Sequence, residues 1–118
     1  MRNISISDRT LCFCPGASFR QKLETGARLD RMGVNAIEAP PLPKDETGMV
    51  LMRSLCAATE NAVIALETEL SESGVVRAFD AVRTAKKPRL IVSAPATSAR
   101  MEYVCHLKPP KMLDLIER

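Results

Sequence analysis

Four short β-branched runs, each followed by a helical pattern, constrain the fold of this chain more than any other feature. The runs cover residues 4–7, 34–38, 62–66 and 89–93, so their starts are separated by about 30, 28 and 27 residues. A nearly constant interval of this size indicates one repeating supersecondary unit, here a strand followed by a helix. The sequence therefore predicts an α/β chain of four βα units.

The helix of the first unit has a predicted start and a predicted end. Ser18 can cap the first free amides with its hydroxyl, and Gly33 is the residue type that commonly ends a helix in the left-handed conformation. Between them, Phe19, Leu23 and Ala27 recur at helical spacing and are expected to form one apolar face.

The next two units carry comparable helical patterns. The second helix is predicted over residues 46–58, after Asp45, and the third is predicted to begin after Ser71 and to end before Pro88. In the second helix the compatible apolar positions are Val50, Leu51, Leu55 and Ala58. In the third helix the residues expected to pack onto the sheet are Val75, Phe79 and Val82.

Strands joined through helices run parallel with right-handed crossovers, which leaves an open doubly wound sheet or a closed barrel. A (β/α)8 barrel uses about 250 residues, or about 31 for each unit, close to the spacing in this chain. Residues 1–118 are then expected to form an incomplete TIM-barrel domain, the N-terminal half of a (β/α)8 barrel. A further helical pattern follows Pro109-Pro110 over residues 111–117 without a stop signal, so we expect the barrel to continue beyond Arg118 or to be completed by a second copy.

Composition excludes several other classes of protein. A hydrophobic content of 46% is that of an ordinary globular domain, and a net charge of +3 with 3% aromatic residues favours neither a nucleic-acid nor a membrane partner. No run reaches membrane-spanning length, and the first residues lack the apolar core of an export signal. The four cysteines are therefore expected to be free thiols in the cytoplasm.

Several motifs, in the right order, resemble those of a known enzyme family. Residues 6–11 (ISDRTL) followed by residues 15–19 (PGASF) resemble the Asp-Thr-Thr-Leu-Arg-Asp-Gly-Glu-Gln-Ser-Pro-Gly-Ala-Ser motif of the 2-isopropylmalate synthase and homocitrate synthase family. This family of pyruvate carboxyltransferase-like TIM barrels also contains 3-hydroxy-3-methylglutaryl-coenzyme A lyase. Further matches lie at residues 36–39 (AIEA), 85–89 (AKKPR), 96–98 (ATS) and 101–103 (MEY). The resemblance spans the whole chain and implies a diverged N-terminal portion of such a barrel.

One loop departs from the family pattern, because Cys12-Phe13-Cys14 replaces Arg-Asp-Gly-Glu-Gln-Ser. In the family, that Arg stabilises the enolate of the acyl thioester, and the Asp binds a divalent metal (Mg, Mn or Zn) together with a His-x-His pair from a later strand. Arg9 stands nearby in the place of a family Thr. Ile91 and Arg100 stand where relatives carry His.

Two interpretations of the rewritten loop remain open. Active sites of barrels lie at the carboxyl ends of the strands, so Cys12 and Cys14, with Cys105 and His106 after the fourth strand, are candidate ligands of a soft metal such as zinc. Alternatively, the cysteines act as small apolar residues in a shortened loop.

The resemblance also supplies candidate catalytic and binding residues. Glu38 and Arg9 are the candidate catalytic residues, since Glu38 ends the second strand at the family's Ile-Glu-Ala motif and faces the barrel mouth. The candidate substrate-binding residues are Asp8, Thr10, Thr97 and Ser98. A structural role for Glu38 and turn capping by Thr97 and Ser98 are the alternatives.

The resemblance implies an acyltransferase that condenses acetyl-coenzyme A with a 2-keto acid of altered identity, with the complete protein a homodimer. One alternative is a carbon-carbon lyase or aldolase of the same superfamily. The other is a non-catalytic paralogue that binds a metabolite or a protein partner, because the catalytic Arg-Asp pair is replaced by Cys12-Phe13-Cys14.

Overall fold

The computed structural model describes residues 2–118 as alternating strands and helices. In chain order these are β1 (Ser7–Asp8), a 3-10 helix (Thr10–Phe13), α1 (Phe19–Met32), β2 (Ala36–Ala39), α2 (Thr47–Ala58), β3 (Val63–Glu69), α3 (Glu72–Val82), β4 (Pro88–Ser93), α4 (Ser98–Tyr103) and α5 (Pro109–Glu117). No helix in this part of the chain is both long enough and apolar enough to cross a membrane.

The four strands form one all-parallel sheet in the order β1-β2-β3-β4. Each strand therefore pairs with the next one along the chain, as expected when successive βα units add to a barrel wall. The predicted α/β class, with parallel strands arranged as half of a (β/α)8 barrel, is confirmed.

The boundaries of β1 were predicted wrongly. Residues 4–7 alternate like a strand, but only Ser7 and Asp8 pair with β2, while Ile4 and Ile6 are 83% and 56% exposed. The ladder ends because Asn35, which precedes β2, forms hydrogen bonds with both the carbonyl and the amide of Ile6. Its amide donates to the Ile6 carbonyl at 2.9 Å, and its side-chain Oδ1 accepts the Ile6 amide at 2.7 Å.

Helix α1 begins and ends where the sequence predicts. Ser18 Oγ accepts a hydrogen bond from the Gln21 amide, and Gln21 Oε1 accepts one from the Ser18 amide. Together these two bonds form a complete capping box. Gly33 follows the helix with φ 86°, the left-handed conformation that favours glycine. Phe19, the first residue of the helix, is nevertheless 44% exposed, and the buried residues are Gly26, Leu29 and Asp30.

Helix α3 is capped by Ser71 as predicted, yet Phe79 does not pack onto the sheet. The buried positions are Ala78, Ala81 and Val82, and Phe79 is 56% exposed. Two alanines let the helix approach the sheet closely, which turns the larger phenyl ring outward. In α2, Val50 and Ala58 are likewise exposed, and the buried set is Gly48, Met49, Met52, Leu55 and Cys56.

The sheet has one helix-covered face and one helix-free face. Alternate strand residues point to opposite faces, and Ile37, Ile64 and Leu66 pack with the helices in the apolar core. Their neighbours Glu38 and Glu67 consequently lie on the helix-free face, which corresponds to the inside of a barrel.

A buried carboxylate fastens α1 to the start of β3. Asp30 is 5% exposed and accepts the backbone amides of Glu60, Asn61 and Ala62 at 3.0, 3.0 and 2.7 Å. Burial acts to raise the pKa of Asp30, but the three amide donors outweigh it and hold that pKa below its usual value. This clasp fixes where the second βα unit joins the third.

Candidate functional site

A connected row of polar side chains crosses the helix-free face of the sheet near the carboxyl ends of its strands. Its centre is Arg9, which follows β1 directly, and its flanks are glutamates on β2 and β3. In open and closed parallel sheets alike, this end of the strands is where ligands bind. The row, made of Ser7, Arg9, Glu38, Glu67 and Ser93, is called the polar row below.

The two residues predicted to be catalytic contact each other directly. Arg9 Nε lies 2.9 Å from Glu38 Oε2, and the second carboxylate oxygen of Glu38 accepts a hydrogen bond from Ser7 Oγ at 2.7 Å. The Glu38 side chain is 22% exposed and that of Arg9 is 53% exposed. Glu38 is thus held on both oxygens, and it orients a guanidinium that remains open to solvent.

Glu67 is the site residue that the sequence analysis missed. Its Oε2 lies 3.9 Å from a terminal nitrogen of Arg9, and its Oε1 accepts a hydrogen bond from Ser93 Oγ at 3.0 Å. The predicted third strand ended at residue 66, whereas β3 runs to Glu69. Side chains alternate between the two faces of a strand, so extending the third strand by one residue places Glu67 on the same face as Ala65. Ala65 is the strand partner of Glu38, so Glu67 and Glu38 share that face.

The turn after β1 positions Arg9. Asp8 Oδ1 accepts the Thr10 amide at 2.8 Å, and the Cys12 amide donates to the Arg9 carbonyl at 2.9 Å as the 3-10 helix starts. The guanidinium carbon of Arg9 also lies 5.8 Å from the centre of the Phe13 ring, within cation–π range. Asp8 and Thr10 were predicted to bind substrate. In the structure the side chain of Asp8 and the backbone amide of Thr10 form this turn.

Both cysteines of the rewritten loop donate to backbone carbonyls. Cys12 Sγ lies 3.5 Å from the Glu38 carbonyl oxygen, and Cys14 Sγ lies 3.1 Å from that of Thr10. Burial raises the pKa of the Cys12 thiol, which disfavours the thiolate that a metal requires.

The donors in residues 2–118 do not converge on a metal position. No group of three or more His, Cys, Asp or Glu side chains in this range has the geometry to hold an ion. Cys105 and His106 are exposed, and His106 adopts a positive φ of 54° in the turn after α4. The residues present in this range do not fit the divalent metal that the resemblance implies.

Thr97 and Ser98 lie at the start of α4, outside the polar row. Thr97 Oγ1 accepts the Arg100 amide at 3.3 Å and thereby caps this short helix, and Ser98 is its first residue. Both are exposed, and no side-chain hydrogen bond found in residues 2–118 connects them to Arg9 or Glu38. Capping accounts for Thr97, and substrate binding by either residue stays a prediction.

The chain is similar to curated 2-isopropylmalate synthases. It is 29% identical over 105 residues to 2-isopropylmalate synthase of Bradyrhizobium sp. (strain BTAi1), an alignment that covers 87% of this chain and 20% of that protein. It is 28% identical over 123 aligned positions to 2-isopropylmalate synthase of Bacillus cereus (strain Q1), covering 100% of this chain and 24% of that protein. No family model matches the chain.

The chain thus spans about a fifth to a quarter of the length of the curated relatives it matches. Similarity at this level, over nearly the whole chain, supports kinship with the acyltransferase family of these synthases. The polar row lies at the end of the sheet where an enzyme of this architecture holds its substrate.

Proposed function

We propose that this chain forms part of the active site of an acyltransferase that joins acetyl-coenzyme A to a 2-keto acid. The observation that carries the proposal is the fixed, solvent-accessible guanidinium of Arg9, held by Glu38 at the carboxyl end of the parallel strands. Similarity to 2-isopropylmalate synthases along the chain supports the reaction class.

The reaction needs a positive group at the point where negative charge develops. Removing a proton from the acetyl methyl group leaves an enolate, whose oxygen is stabilised by a preorganised cationic donor. Arg9 is such a donor, because Glu38 holds its Nε at 2.9 Å, whereas the contact of a terminal nitrogen with Glu67 Oε2 is longer, at 3.9 Å. Arg9 thereby takes over the task of the family arginine that the Cys12-Phe13-Cys14 loop lacks.

The carboxylates beside Arg9 are the available proton acceptors. Glu67 is better placed for this role than Glu38, because its contact with Arg9 is looser at 3.9 Å, against 2.9 Å for Glu38. The enolate carbon then forms a bond to the keto carbon, the keto oxygen takes up a proton, and water releases coenzyme A from the thioester. In this scheme Glu38 is a positioning residue, and Arg9 and Glu67 touch the reacting groups.

The test is release of the coenzyme A thiol by the chain in the presence of acetyl-coenzyme A and a series of 2-keto acids from pyruvate upward. Release that depends on one keto acid is expected, and Arg9→Ala is expected to lower the rate by about 100-fold or more. Arg20→Ala is the matched control, since Arg20 also pairs with a glutamate, Glu24 at 3.0 Å, but lies on the outer surface of α1.

Different outcomes separate the alternatives. Cleavage of a carbon-carbon bond in the condensed product, without measurable synthesis, would favour the lyase. Equal rates for Arg9→Ala and Arg20→Ala would contradict the assigned role of Arg9. Absence of turnover by the folded chain with every keto acid would favour a non-catalytic paralogue.

A further inference from the structure

The rewritten loop places two thiols next to the polar row. Cys12 lies in the 3-10 helix, and Cys14 directly follows that helix. Both side chains are partly exposed, and both thiols are free in this structure. The other two cysteines lie far along the chain, with Cys56 buried on α2 and Cys105 exposed after α4. Cys12 and Cys14 thus form a pair of accessible thiols within one turn.

The backbone between the two cysteines suits a disulfide. The distance between their Cα atoms is set by the φ and ψ of the one residue between them, Phe13, which is the last residue of the 3-10 helix. In a helical conformation that distance is roughly 5 to 6 Å, and disulfides join Cα atoms about 4.4 to 6.8 Å apart. The sulfur atoms can therefore meet without a large movement of the backbone.

The contacts that each thiol makes in the reduced chain are weak. Cys12 Sγ lies 3.5 Å from the Glu38 carbonyl oxygen, and Cys14 Sγ lies 3.1 Å from the Thr10 carbonyl oxygen. A thiol is a weak hydrogen-bond donor, so little is lost when both side chains rotate toward each other. A disulfide would remove both thiol protons and with them both of these contacts.

The same turn also positions Arg9. The Cys12 amide donates to the Arg9 carbonyl at 2.9 Å, and the Phe13 ring lies 5.8 Å from the Arg9 guanidinium carbon. Glu38, whose carbonyl accepts the Cys12 thiol, holds Arg9 Nε with its carboxylate. A bond between the sulfurs of Cys12 and Cys14 closes a ring that contains Phe13, and thereby constrains the contacts on which the Arg9 side chain depends.

We propose that Cys12 and Cys14 form a reversible disulfide by exchange with a small disulfide such as oxidised glutathione, and that this bond changes the position of Arg9. The thiolate of Cys14 attacks one sulfur of the small disulfide, which forms a mixed disulfide and releases one small thiolate. The thiolate of Cys12 then attacks the Cys14 sulfur and releases the second. The protons of the two cysteines pass to the two released thiolates, and two electrons reduce the small disulfide.

The order of the two steps follows from the surroundings of the thiols. Burial raises the pKa of Cys12, which makes it the poorer thiolate for attack on a molecule from solution. In the second step its target is two residues away, and an intramolecular attack gains from this proximity. The inference does not depend on the proposed reaction, because it concerns sulfur chemistry and the position of Arg9 without substrate.

The first test is equilibration of the folded chain with mixtures of reduced and oxidised glutathione. Acid quenching, alkylation of the remaining thiols and peptide mass spectrometry then measure the state of residues 12–14. We expect a peptide that is two hydrogen atoms lighter, carries no alkyl group and is restored by excess reduced glutathione. Cys12→Ser is expected to stop at the mixed disulfide on Cys14. Cys105→Ser is the matched control and is expected to leave the disulfide unchanged, because Cys105 is exposed but lies after α4.

The second test follows the Nε–H group of Arg9 by proton–nitrogen NMR in the Cys105→Ser chain. We expect its signal to shift when the pair is oxidised and to return on reduction. The signal of Arg20, whose Nε lies 3.0 Å from Glu24 on α1, is expected to stay in place. A double variant, Cys12→Ser with Cys14→Ser, is expected to show no shift of either signal.

Three results would overturn the proposal. The first is that Cys12 and Cys14 remain open to alkylation at glutathione ratios that modify Cys105. The second is that exchange in the wild type stops at the mixed disulfide on Cys14. The third is an Arg9 signal that stays unshifted in a chain whose Cys12–Cys14 disulfide is complete.

Discussion

Arg9 Nε lies 2.9 Å from Glu38 Oε2, and this contact joins the turn after β1 to the second strand on the helix-free face of the sheet. Ser7 holds the other oxygen of the same carboxylate, so Glu38 cannot rotate without losing two hydrogen bonds. The arginine it orients is still 53% exposed. A charge that is fixed in position yet accessible to an anion is what an electrostatic site requires.

Glu38→Gln separates the functional role of this contact from its structural role. Half-exposed ion pairs stabilise a fold weakly, so the free energy of unfolding is expected to fall by less than about 1 kcal/mol. Binding of a 2-keto acid is expected to weaken several-fold, because Arg9 loses its orienting partner. Urea unfolding and calorimetric titration measure the two quantities. A large loss of stability with unchanged binding would assign Glu38 a structural role instead.

Asp30→Asn is expected to destabilise the chain by about 2 to 3 kcal/mol, since a neutral amide cannot accept all three amides of residues 60–62. Thermal and urea unfolding at neutral pH test this. Asp114→Asn is the control, because Asp114 is 66% exposed and forms an exposed ion pair with Arg118, the C-cap of its own helix. Its effect is expected to stay within about 0.5 kcal/mol.

The carboxylate of Asp30 also makes the stability of the chain depend on pH. The pKa of Asp30 is lower in the folded chain than its ordinary value of 3.8, so its contribution is fully present above pH 3.8. That contribution is lost as the pH falls below 3.8 through the folded value. The free energy of unfolding, measured across this pH range, is expected to change more steeply with pH for the wild type than for Asp30→Asn. Parallel curves would contradict the role of the clasp.

Gly26→Ala tests the packing of α1 against α2. An added Cβ would meet Leu55 Cδ2 at 2.6 Å, and Leu55 is 2% exposed, so it has little room to move. The overlap is expected to cost about 1 to 3 kcal/mol, more than the gain in helix propensity of up to about 1 kcal/mol. Gly16→Ala is the control, because no atom of the described residues 2–118 lies within 4 Å of its added Cβ. Equal unfolding midpoints for the two variants would show that α1 and α2 pack less closely.

The cysteines should react with iodoacetamide in an order set by exposure. Cys105 is exposed and is expected to be modified first, whereas burial raises the pKa of the Cys56 thiol and removes it from solvent. Cys56 is therefore expected to react only when the chain is unfolded. Peptide mass spectrometry after timed quenching measures the order, and early labelling of Cys56 would contradict the arrangement of α2 against α3.

The fold was largely predictable because its signals are local. Strand spacing, the Ser18 cap and the Gly33 stop depend on residues close together in sequence, and each was confirmed. The faces of the helices were less predictable, since small residues such as Ala78 and Ala81 decide which side approaches the sheet. An apolar pattern does not distinguish a phenyl ring that packs inward from one, such as Phe79, that is turned outward.

The candidate site was predictable only in part. Arg9 and Glu38 were chosen separately from the sequence, and the structure places them in contact. Glu67 and its partner Ser93 lie more than 50 residues beyond Arg9, and their approach depends on the register of β3 and β4. That register is set by packing across the sheet, which no single stretch of sequence contains.

Binding of an anion by Arg9 tests the account most directly. Pyruvate and its longer 2-keto homologues would be titrated calorimetrically into the wild type, Arg9→Ala and Arg20→Ala. We expect saturable binding by the wild type, an unchanged affinity for Arg20→Ala, and an affinity lowered by about tenfold or more for Arg9→Ala. Equal affinities for all three proteins, or no binding of any keto acid by the wild type, would contradict the assignment of Arg9 as the anion-binding residue.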